Sequence, residues 1–419
     1  MRSPQRLRRA AAALTALALP LLALTGLSPT AAHATSPAPA APTAPAATAG
    51  SGGVTTTSAL ERITGFGSNP GALTLYRHLP DGLAPGSPVV LVLHGCTQDA
   101  AGYVAGSGWA EYADARGFAL VAAQQETVNN SSRCFNWFEP ADTSRGRGEV
   151  LSLRQMVAHT VDAAGADPSR VFVAGFSAGG AMASSVLAAY PEVFAGGAVL
   201  SGVPHGCATS TVEAFGCMNP GKSRSADAWG DLVRAQNPGH AGPWPTVSVW
   251  HGTSDTTVRP VNATESVKQW TDVHGTDASP DSSTSLPGGV TRTTYDGPSG
   301  TVVHRYTATG VGHAVPVRPA EGCGASGSYF ADVLCSTSAI TADWGLGTTE
   351  PGDPGDPDPG DPACVTASNY AHTTAGRAVV SYGYTYAVGS GDALGLWNTY
   401  THTSLAETSP GWYERVASC

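Results

Sequence analysis

The stretch with the clearest chemical potential is VFVAGFSAGGAM, residues 171–182, in which one serine stands between glycines. Gly175-Phe176-Ser177-Ala178-Gly179 matches G-x-S-x-G, a pattern that places a serine at a sharp turn between a strand and a helix. Such a turn exposes the hydroxyl, and the amides of the following helix favour negative charge beside it. Ser177 is therefore a candidate nucleophile, although a chain this rich in glycine and serine also permits a simple tight turn.

A nucleophilic serine needs an imidazole as general base and a carboxylate that orients the imidazole. In one recurrent chain order both groups follow the serine, with the acid first. Asp255 lies just beyond the strand-like TVSVWHG, and His313 lies in the glycine-bounded ATGVGHAVP after another strand-like run that contains His304. We predict Ser177, Asp255 and His313 as a catalytic triad, while a role for Asp255 in an Asx turn stays open. The other downstream acids considered are Asp227, Asp231, Asp272, Asp277 and Asp296.

An attack on a carbonyl group also needs two N–H donors for the developing oxyanion. The first predicted donor is the amide of Ala178, directly after the nucleophile. The second is expected in the loop after an earlier strand, and VVLVLHGCTQ offers the amide of Cys96 there. We expect His94 to shape this loop and to lie near substrate, although a purely structural His-Gly turn is the alternative.

Apolar runs that alternate with helix-like segments surround these residues. SPVVLVLHG, FALVAAQQ, RVFVAGF, AGGAVLSG and WPTVSVWHG have the character of buried strands, and EVLSLRQMVAHTVDAAG and SAGGAMASSVLAAYP that of helices. Apolar strands in alternation with helices predict an α/β fold with a mostly parallel central sheet that is covered on both faces. In such folds reactive groups gather at the carboxyl ends of the strands, where the predicted triad falls.

Composition divides the chain into five predicted parts. Residues 1–34 have four arginines, an apolar core and an Ala-His-Ala site, which indicates a secretory signal peptide. Residues 35–57 are a Pro/Ala/Thr-rich leader, and residues 58–347 have a globular composition. Residues 348–363 are an acidic Pro/Gly/Asp linker. Residues 364–419 are expected to form a small β-rich module that a disulfide closes.

Charge and cysteine content set further limits. Removal of the signal peptide removes four arginines and no acid, so the formal charge changes from −10 to −14. This charge disfavours binding to nucleic acid or to anionic membranes. Eight cysteines in an exported chain indicate disulfides, and the absence of a C-x-x-C motif argues against a zinc site. About 105 complete pairings are possible, and chain order favours Cys96–Cys134, Cys207–Cys217, Cys323–Cys335 and Cys364–Cys419.

Several motifs taken together resemble one known family. LVLHGCTQ, CFNWF, RGRGEVLSLRQMV, the long segment SRVFVAGFSAGGAMASSVLAAYPEVFAGGAVLSGVPHG, WHGTSDTTVRPVNATE and GVGHAVP are similar to those of extracellular polyhydroxyalkanoate (PHB) depolymerase family esterases. The resemblance covers most of residues 58–347. It implies the α/β-hydrolase fold, a secreted serine esterase, no metal and no cofactor. It also implies for Ser177, Asp255, His313, Cys96 and Ala178 the roles already given.

The resemblance leaves the substrate open. A polymeric ester is expected, either a short-chain-length polyhydroxyalkanoate or, as in related feruloyl and acetylxylan esterases, an ester of plant cell-wall polysaccharide. A catalytically idle binding protein is a third hypothesis, against which the intact Ser/Asp/His order argues. We expect a monomer. Aromatic residues are candidates for an acyl-binding cleft or ordinary core residues (Trp109, Trp137, Phe138, Trp250) and, in the module, for a polymer-adsorbing face (Trp397, Tyr400, Trp412, Tyr413).

Overall fold

The computed structural model describes residues 60–346, 364–398, 401–409 and 411–416. The predicted signal peptide, leader and linker lie outside these residues, so the five-part division of the chain stays a prediction. Within the described ranges no helix combines the length and the apolar character needed to cross a bilayer.

A ten-stranded sheet forms the centre of residues 60–346. Its strands are β1 (Glu61–Ile63), β2 (Thr74–His78), β3 (Val89–Leu93), β4 (Ala119–Gln124), β5 (Val171–Phe176), β6 (Gly196–Leu200), β7 (Thr246–Gly252), β8 (Ser282–Leu286), β9 (Val290–Gly297) and β10 (Gly300–Ala308). Their order is β1-β2-β4-β3-β5-β6-β7-β10-β9-β8. The six strands from β4 to β10 in this order pair in parallel, and antiparallel strands flank them on both sides.

Helices cover both faces of the sheet. Alternate residues of β3 show this, since Leu91 belongs to one buried apolar cluster and Val90 to another on the opposite face. The first cluster includes residues of α4, α5, α7 and α8, and the second includes residues of α1, α2 and α9. The helices are α1 (Ala100–Ser107), α2 (Trp109–Arg116), α3 (Pro140–Thr143), α4 (Gly148–Ala164), α5 (Ala178–Ala189), α6 (Thr211–Met218), α7 (Ala226–Arg234), α8 (Val261–Val273) and α9 (Ser336–Asp343).

Short elements complete this region after β10. Strand β11 (Val315–Val317) pairs in parallel with β12 (Phe330–Asp332), and 3₁₀ turns occur at Pro287–Gly289 and Pro319–Glu321. The pairing brings the chain that follows His313 beside the segment that Cys323 and Cys335 enclose.

Residues 364–416 contain two further three-stranded sheets. The strand order is β13-β17-β18 in one sheet and β14-β15-β16 in the other. A small apolar core is formed by Ala378, Ala387, Leu394 and Leu405. The expectation of a β-rich module is therefore correct for the described part. The bounds are β13 (Cys364–Ser368), α10 (Asn369–Thr374), β14 (Ala378–Ser381), β15 (Tyr384–Ala387), β16 (Ala393–Leu396), β17 (His402–Ser409) and β18 (Trp412–Val416).

Three of the predicted disulfides are present among the described residues, namely Cys96–Cys134, Cys207–Cys217 and Cys323–Cys335. The fourth, Cys364–Cys419, involves a residue outside the described ranges and stays a prediction. Tyr400 is also outside those ranges. Of the remaining module aromatics, Trp397 and Trp412 are each 45% exposed, whereas Tyr413 packs against the small core of the module.

Candidate active site

Ser177 lies at the bend between β5 and α5, on the carboxyl side of the central parallel strands. Its backbone has φ 56° and ψ −118°, a conformation that costs a non-glycine residue about 1–3 kcal/mol. The flanking glycines are needed sterically, because a Cβ at Gly175 would overlap the carbonyl oxygen of Gly179, and a Cβ at Gly179 would overlap that of Leu93. The bend therefore stores strain and packs directly against the end of β3.

The three residues predicted as a triad lie in hydrogen-bonding contact. His313 Nε2 is 2.8 Å from Ser177 Oγ, and His313 Nδ1 is 2.7 Å from Asp255 Oδ2. The imidazole is nearly buried and the carboxylate fully so. With Nδ1–H donating to the carboxylate, Nε2 is left as the acceptor for the serine proton. The geometry is that of a serine nucleophile with its base and its orienting acid.

Local hydrogen bonds hold Asp255 and His313 in place. Asp255 Oδ1 accepts from the amides of Thr257 and Val258, each at 2.9 Å. The loop that carries Asp255 is bound to the loop that carries His313, because Ser254 N donates to Val311 O at 2.9 Å. The Phe176 ring packs 4.8 Å from the imidazole. These contacts fix the imidazole from several sides.

Sequence reasoning missed His251, which contacts the acid. Its Nε2–H donates to Val258 O at 2.8 Å and lies 3.4 Å from Asp255 Oδ2. Burial alone would raise the pKa of Asp255, but hydrogen bonds from His251 and His313 lower it well below its usual range. The carboxylate therefore stays ionised beside the imidazole. The available signal was the position of His251 in WHGTSD, at the end of the strand before the acid.

The predicted oxyanion loop follows β3 and is firmly attached to the chain around residues 130–134. Thr97 N donates to Ser132 O at 2.7 Å, Arg133 Nη2 donates to Thr97 O at 3.2 Å, and the Cys96–Cys134 disulfide lies alongside. Thr97 has φ 66°, a strained value for a β-branched residue. Among the hydrogen bonds of the described residues, none has the amide of Cys96 or Ala178 as donor. Both amides therefore keep their N–H groups available.

His94 is a structural residue of this loop, which corrects the expectation that it contacts substrate. Its ring is fully buried, donates from Nδ1 to Gly95 O at 2.8 Å, and accepts at Nε2 from Gln125 N at 3.1 Å. Burial lowers the pKa of His94 to about 4. The imidazole thus stays neutral and joins the end of β3 to the end of β4.

The predicted aromatic cleft residues are mostly core residues. Trp250 is 1% exposed and stacks on Tyr306 with 3.7 Å between ring centroids, so it cannot line a cleft. Trp109 is equally buried and stacks on Trp344. Trp137 is 6% exposed and belongs to the core, and Phe138 packs beside it partly buried. For Trp250 the physical reason is that it lies on β7, and helices cover both faces of the sheet, so its side chain enters the core.

Tyr329 lies at the site instead, and sequence reasoning gave no indication of it. Its hydroxyl is 3.3 Å from Thr97 Oγ1, its ring is 6.2 Å from the Phe176 ring, and its carbonyl accepts from Val315 N at 2.8 Å. Tyr329 therefore connects the oxyanion loop with the chain just after His313. The only sequence signal was its position between Cys323 and Cys335.

Replacing Tyr329 is expected to affect substrate binding more than chemistry. Tyr329→Phe removes an exposed hydrogen bond and should change kcat/KM by no more than about twofold to threefold. Tyr329→Ala removes the ring and should raise KM by about threefold to tenfold, with kcat less affected. Steady-state kinetics on a soluble ester test both variants. An alanine variant with wild-type KM would show that the ring does not contact substrate.

His205 offers a test of the stability of the region that follows β6. Burial lowers the pKa of His205 to about 4, as for His94, and its Nδ1 is 3.1 Å from Ser185 Oγ. A lowered histidine pKa means that the stabilisation is present above pH 6.5 and is lost as pH falls through about 4. Each such histidine contributes about 3 kcal/mol at neutral pH relative to acid.

The variant His205→Gln should therefore lose less stability in acid than the wild type. At pH 5 its unfolding should take up about one proton fewer, because glutamine does not titrate. Urea unfolding at a series of pH values from 4.5 to 7 gives the two slopes. Equal slopes would show that burial does not lower the pKa of His205 in the folded protein.

Among the described residues no group of three or more His, Cys, Asp or Glu side chains is arranged to hold a metal ion. A mostly parallel sheet with helices on both faces, and a strained serine at the bend after its central strand, define the class of the protein as an α/β-hydrolase-fold esterase. The chain belongs to the esterase PHB depolymerase family, whose model matches residues 73–292. The predicted family, fold class and enzyme class are confirmed.

Three known proteins are similar to this chain. Poly(3-hydroxyalkanoate) depolymerase C of Paucimonas lemoignei is 47% identical over 69% of this chain and 70% of its own. Feruloyl esterase B of Thermothelomyces thermophilus is 35% identical over 61% of this chain and 88% of its own. The solved acetyl xylan esterase from Aspergillus awamori has a TM-score of 0.59 at 27% identity, over 69% of this chain and 100% of that chain.

Proposed function

We propose that Ser177, His313 and Asp255 hydrolyse carboxylic esters through an acyl-enzyme. Ser177 Oγ attacks the ester carbonyl carbon while His313 Nε2 takes its proton, and Asp255 stabilises the imidazolium. The carbon–oxygen bond to the alcohol then breaks, and the alcohol oxygen receives the proton from Nε2. Water repeats the sequence on the acyl-serine and releases the acid. The observation that carries this proposal is the continuous hydrogen-bonded chain from Ser177 Oγ to Asp255 Oδ2.

The amides of Ala178 and Cys96 are the proposed oxyanion donors. Ala178 is the first residue of α5, so its N–H has no intrahelical acceptor and points along the positive end of the helix dipole. The ends of β3 and β5 are neighbours, and the start of α5 packs so closely on them that a Cβ on Gly179 would overlap the carbonyl oxygens of Leu93 and His94. Both donors are thus held by rigid backbone, which is the condition for strong stabilisation of a developing charge.

We propose a short-chain-length polyhydroxyalkanoate as the substrate. The support is the 47% identity to a protein named as a poly(3-hydroxyalkanoate) depolymerase, against 35–36% for the proteins named as feruloyl and acetylxylan esterases. An esterase of plant cell-wall polysaccharide is the second candidate, which the similarity to the solved acetyl xylan esterase supports.

Two assays decide between these substrates. The wild type should clear an opaque polyhydroxybutyrate agar and release little ferulate from methyl ferulate. The variant Ser177→Ala should not clear the agar and should release no ferulate. Rapid release of ferulate or acetate without clearing would show that the substrate is a polysaccharide ester and not a polyester. Clearing by Ser177→Ala would point to a contaminating enzyme or to another nucleophile.

The remaining expectations concern organisation and location. We propose export through the signal peptide of residues 1–34, a monomeric catalytic domain at residues 58–347, and a linker at residues 348–363 before the module. Disulfides in the described residues support an oxidising location. In the module, Tyr384 and Leu396 are cross-strand neighbours on β15 and β16, and each is at least half exposed. Together with the exposed Trp397, they support a role in holding the enzyme on a polymer.

A further inference from the structure

Glu149 is a buried acidic residue that the proposed catalytic steps do not use. It lies in the segment RGRGEVLSLRQMV, in the first turn of α4, and is 0% exposed. Among the ion pairs of the described residues, none includes Glu149. A carboxyl group that is buried without a cation is costly unless hydrogen bonds satisfy it, so the groups that contact Glu149 indicate its role.

Three N–H groups converge on the Glu149 carboxyl group. Oε1 accepts from Gln125 Nε2 at 2.5 Å and from Asn129 Nδ2 at 3.3 Å, whereas Oε2 accepts from the amide of Asn136 at 2.9 Å. These three residues lie in the chain between the end of β4 and the start of α3, and we call residues 125–136 the anchor loop. Because Gln125 begins this loop and Asn136 ends it, one side chain fixes both of its ends.

The anchor loop in turn holds the segment that carries the proposed oxyanion donor Cys96. The central residue is Gln125, whose N donates to His94 Nε2 at 3.1 Å and whose Nε2 donates to Cys134 O at 3.1 Å as well as to Glu149. The His94 ring is bonded to the backbone immediately before Cys96, and Cys134 forms a disulfide with Cys96. Cys96 is thus connected to Glu149 along two routes, one through His94 and one through the disulfide.

Close packing transmits the position of the Glu149 carboxyl group to Gln125. The Gln125 side chain is fully buried, and its Oε1 accepts from Asn129 Nδ2 at 2.7 Å and from the Glu126 amide at 3.0 Å. Gly71 packs so closely on α4 that a Cβ there would overlap the Glu149 backbone. Neither Glu149 nor Gln125 can therefore move into empty space, and a change at the carboxyl group displaces the anchor loop.

We propose that Glu149 is a positioning residue of the oxyanion hole, which holds the anchor loop so that the amide of Cys96 faces the carbonyl oxygen of an ester bound at Ser177. This inference rests on the esterase function proposed above and on the role of Cys96 in it. A carbonyl oxygen becomes negatively charged only in the transition state, so a donor that is held in place acts mainly there. Glu149 should therefore affect kcat and the binding of transition-state analogues, and leave KM largely unchanged.

The ionisation of Glu149 allows this role to be separated from a purely structural one. Burial, and after it the charge of Asp142, raises the pKa of Glu149 to about 8, although the three N–H groups lower it. All three groups bonded to the carboxyl group are donors, so the ionised form can accept from each of them, whereas the protonated form has a proton without an acceptor there. The anchor loop should therefore be held better above pH 8 than below it, and kcat should rise with pH accordingly.

Other ionisable groups near this network do not obscure the signal, because Glu149→Gln retains all of them. The glutamine amide has the shape of the protonated carboxyl group and does not titrate. A rise in kcat that the wild type shows and Glu149→Gln lacks therefore belongs to Glu149. The charged or titratable side chains of the segments around Glu149 are Asp142 and Glu139 at α3, Glu126 and Arg133 in the anchor loop, His94 at the end of β3, and Arg147 before α4.

Kinetics of the full-length protein on a soluble short-chain nitrophenyl ester test the proposal. Wild-type kcat should exceed that of Glu149→Gln by about twofold at pH 7 and by about tenfold at pH 9, because the ionised fraction rises from about one tenth to about nine tenths. KM should stay within about twofold of wild type at both pH values. Glu149→Met, which has a similar length and no acceptor, should lower kcat at pH 9 by about 30-fold to 100-fold.

A trifluoromethyl ketone provides a second measurement. Ser177 Oγ adds to its carbonyl carbon, and the oxygen of the resulting tetrahedral adduct occupies the oxyanion hole. At pH 9 its inhibition constant should rise about tenfold in Glu149→Gln, in parallel with the fall in kcat/KM. If Glu149→Met does not fold, the comparison of the wild type with Glu149→Gln is sufficient, because the amide replaces the carboxyl group without a change of size.

Glu265→Gln is the matched control. Glu265 on α8 is a second buried glutamate, 2% exposed, and accepts from Trp229 Nε1 at 2.7 Å and from the Arg224 amide at 3.1 Å. Among the hydrogen bonds of the described residues, none joins Glu265 to the anchor loop. Its substitution should lower the melting temperature, while kcat and the inhibition constant stay within about twofold of wild type at pH 7 and pH 9.

Three results would overturn the proposal: a kcat ratio between wild type and Glu149→Gln that is the same at pH 7 and pH 9, an inhibition constant that does not change, or an equal loss of kcat in Glu265→Gln. A lower melting temperature of Glu149→Gln with wild-type kcat at both pH values would assign Glu149 to stability alone and overturn it too. In each of these cases the wild type still hydrolyses the ester, so the proposed esterase function survives. Absence of turnover by the wild type would overturn that function and this inference together.

Discussion

Ser177→Ala is expected to lower kcat for ester hydrolysis by at least about 10⁴-fold while the protein stays folded. The loss follows because Ser177 Oγ is the atom within hydrogen-bonding distance of His313 Nε2, and alanine supplies no nucleophile there. Stability should be unchanged or slightly higher, since alanine removes a polar atom and leaves the strained backbone as it is. Kinetics on a soluble ester, with a melting curve for each protein, measure both effects.

A matched control for this variant is Ser201→Ala. Ser201 is buried, also has a positive φ, and follows the neighbouring strand β6, but it is outside the triad. We expect its kcat to stay within about threefold of wild type. If Ser177→Ala retained more than a few per cent of the wild-type kcat, another residue would be the nucleophile.

Asp255→Asn is expected to lower kcat by about 10⁴-fold, with little change in KM. The Asp255 carboxylate accepts a hydrogen bond from Nδ1–H of His313 at 2.7 Å. This bond keeps the proton on Nδ1, so Nε2, which faces Ser177, stays unprotonated. An asparagine amide can donate at the same place and so favour the tautomer with the proton on Nε2. That tautomer cannot accept the serine proton.

The comparison for Asp255→Asn is His251→Asn, which touches the acid but not the base. His251 contacts Asp255 Oδ2 at 3.4 Å, so its loss should weaken the positioning of the carboxylate and lower kcat by about tenfold. A drop for Asp255→Asn no larger than that for His251→Asn would contradict the orienting role of Asp255.

The central strands could be predicted because burial on both faces makes them apolar throughout. VVLVL and VFVAGF show this directly, and α4 follows from its apolar periodicity. Helix α5 is buried on every side and follows instead from the G-x-S-x-G turn that precedes it. The edge strand β8, SSTSL, is largely exposed and polar, so only its pairing with β9 defines it. Local sequence carries no such information about pairing partners.

In the candidate site, too, some residues could be predicted from the sequence and others could not. Asp255 and His313 could be found because each lies in a loop just beyond a strand of the parallel sheet. For Trp250 the core alternative is correct and the cleft alternative is not, because Trp250 lies on β7 itself and its side chain enters the core. Tyr329 comes to the site through the β11–β12 pairing and a disulfide-enclosed loop, and neither its contact with Thr97 nor its exposure has a sequence signature.

Covalent labelling of the nucleophile tests the central claim most directly. A nitrophenyl organophosphate phosphorylates an activated serine and releases nitrophenolate, so intact mass should show one adduct per chain and peptide mapping should place it on Ser177. His313→Ala should react far more slowly, and Ser177→Ala should not be labelled. An adduct on another residue would contradict the triad, and so would labelling of Ser177→Ala to the same extent as the wild type.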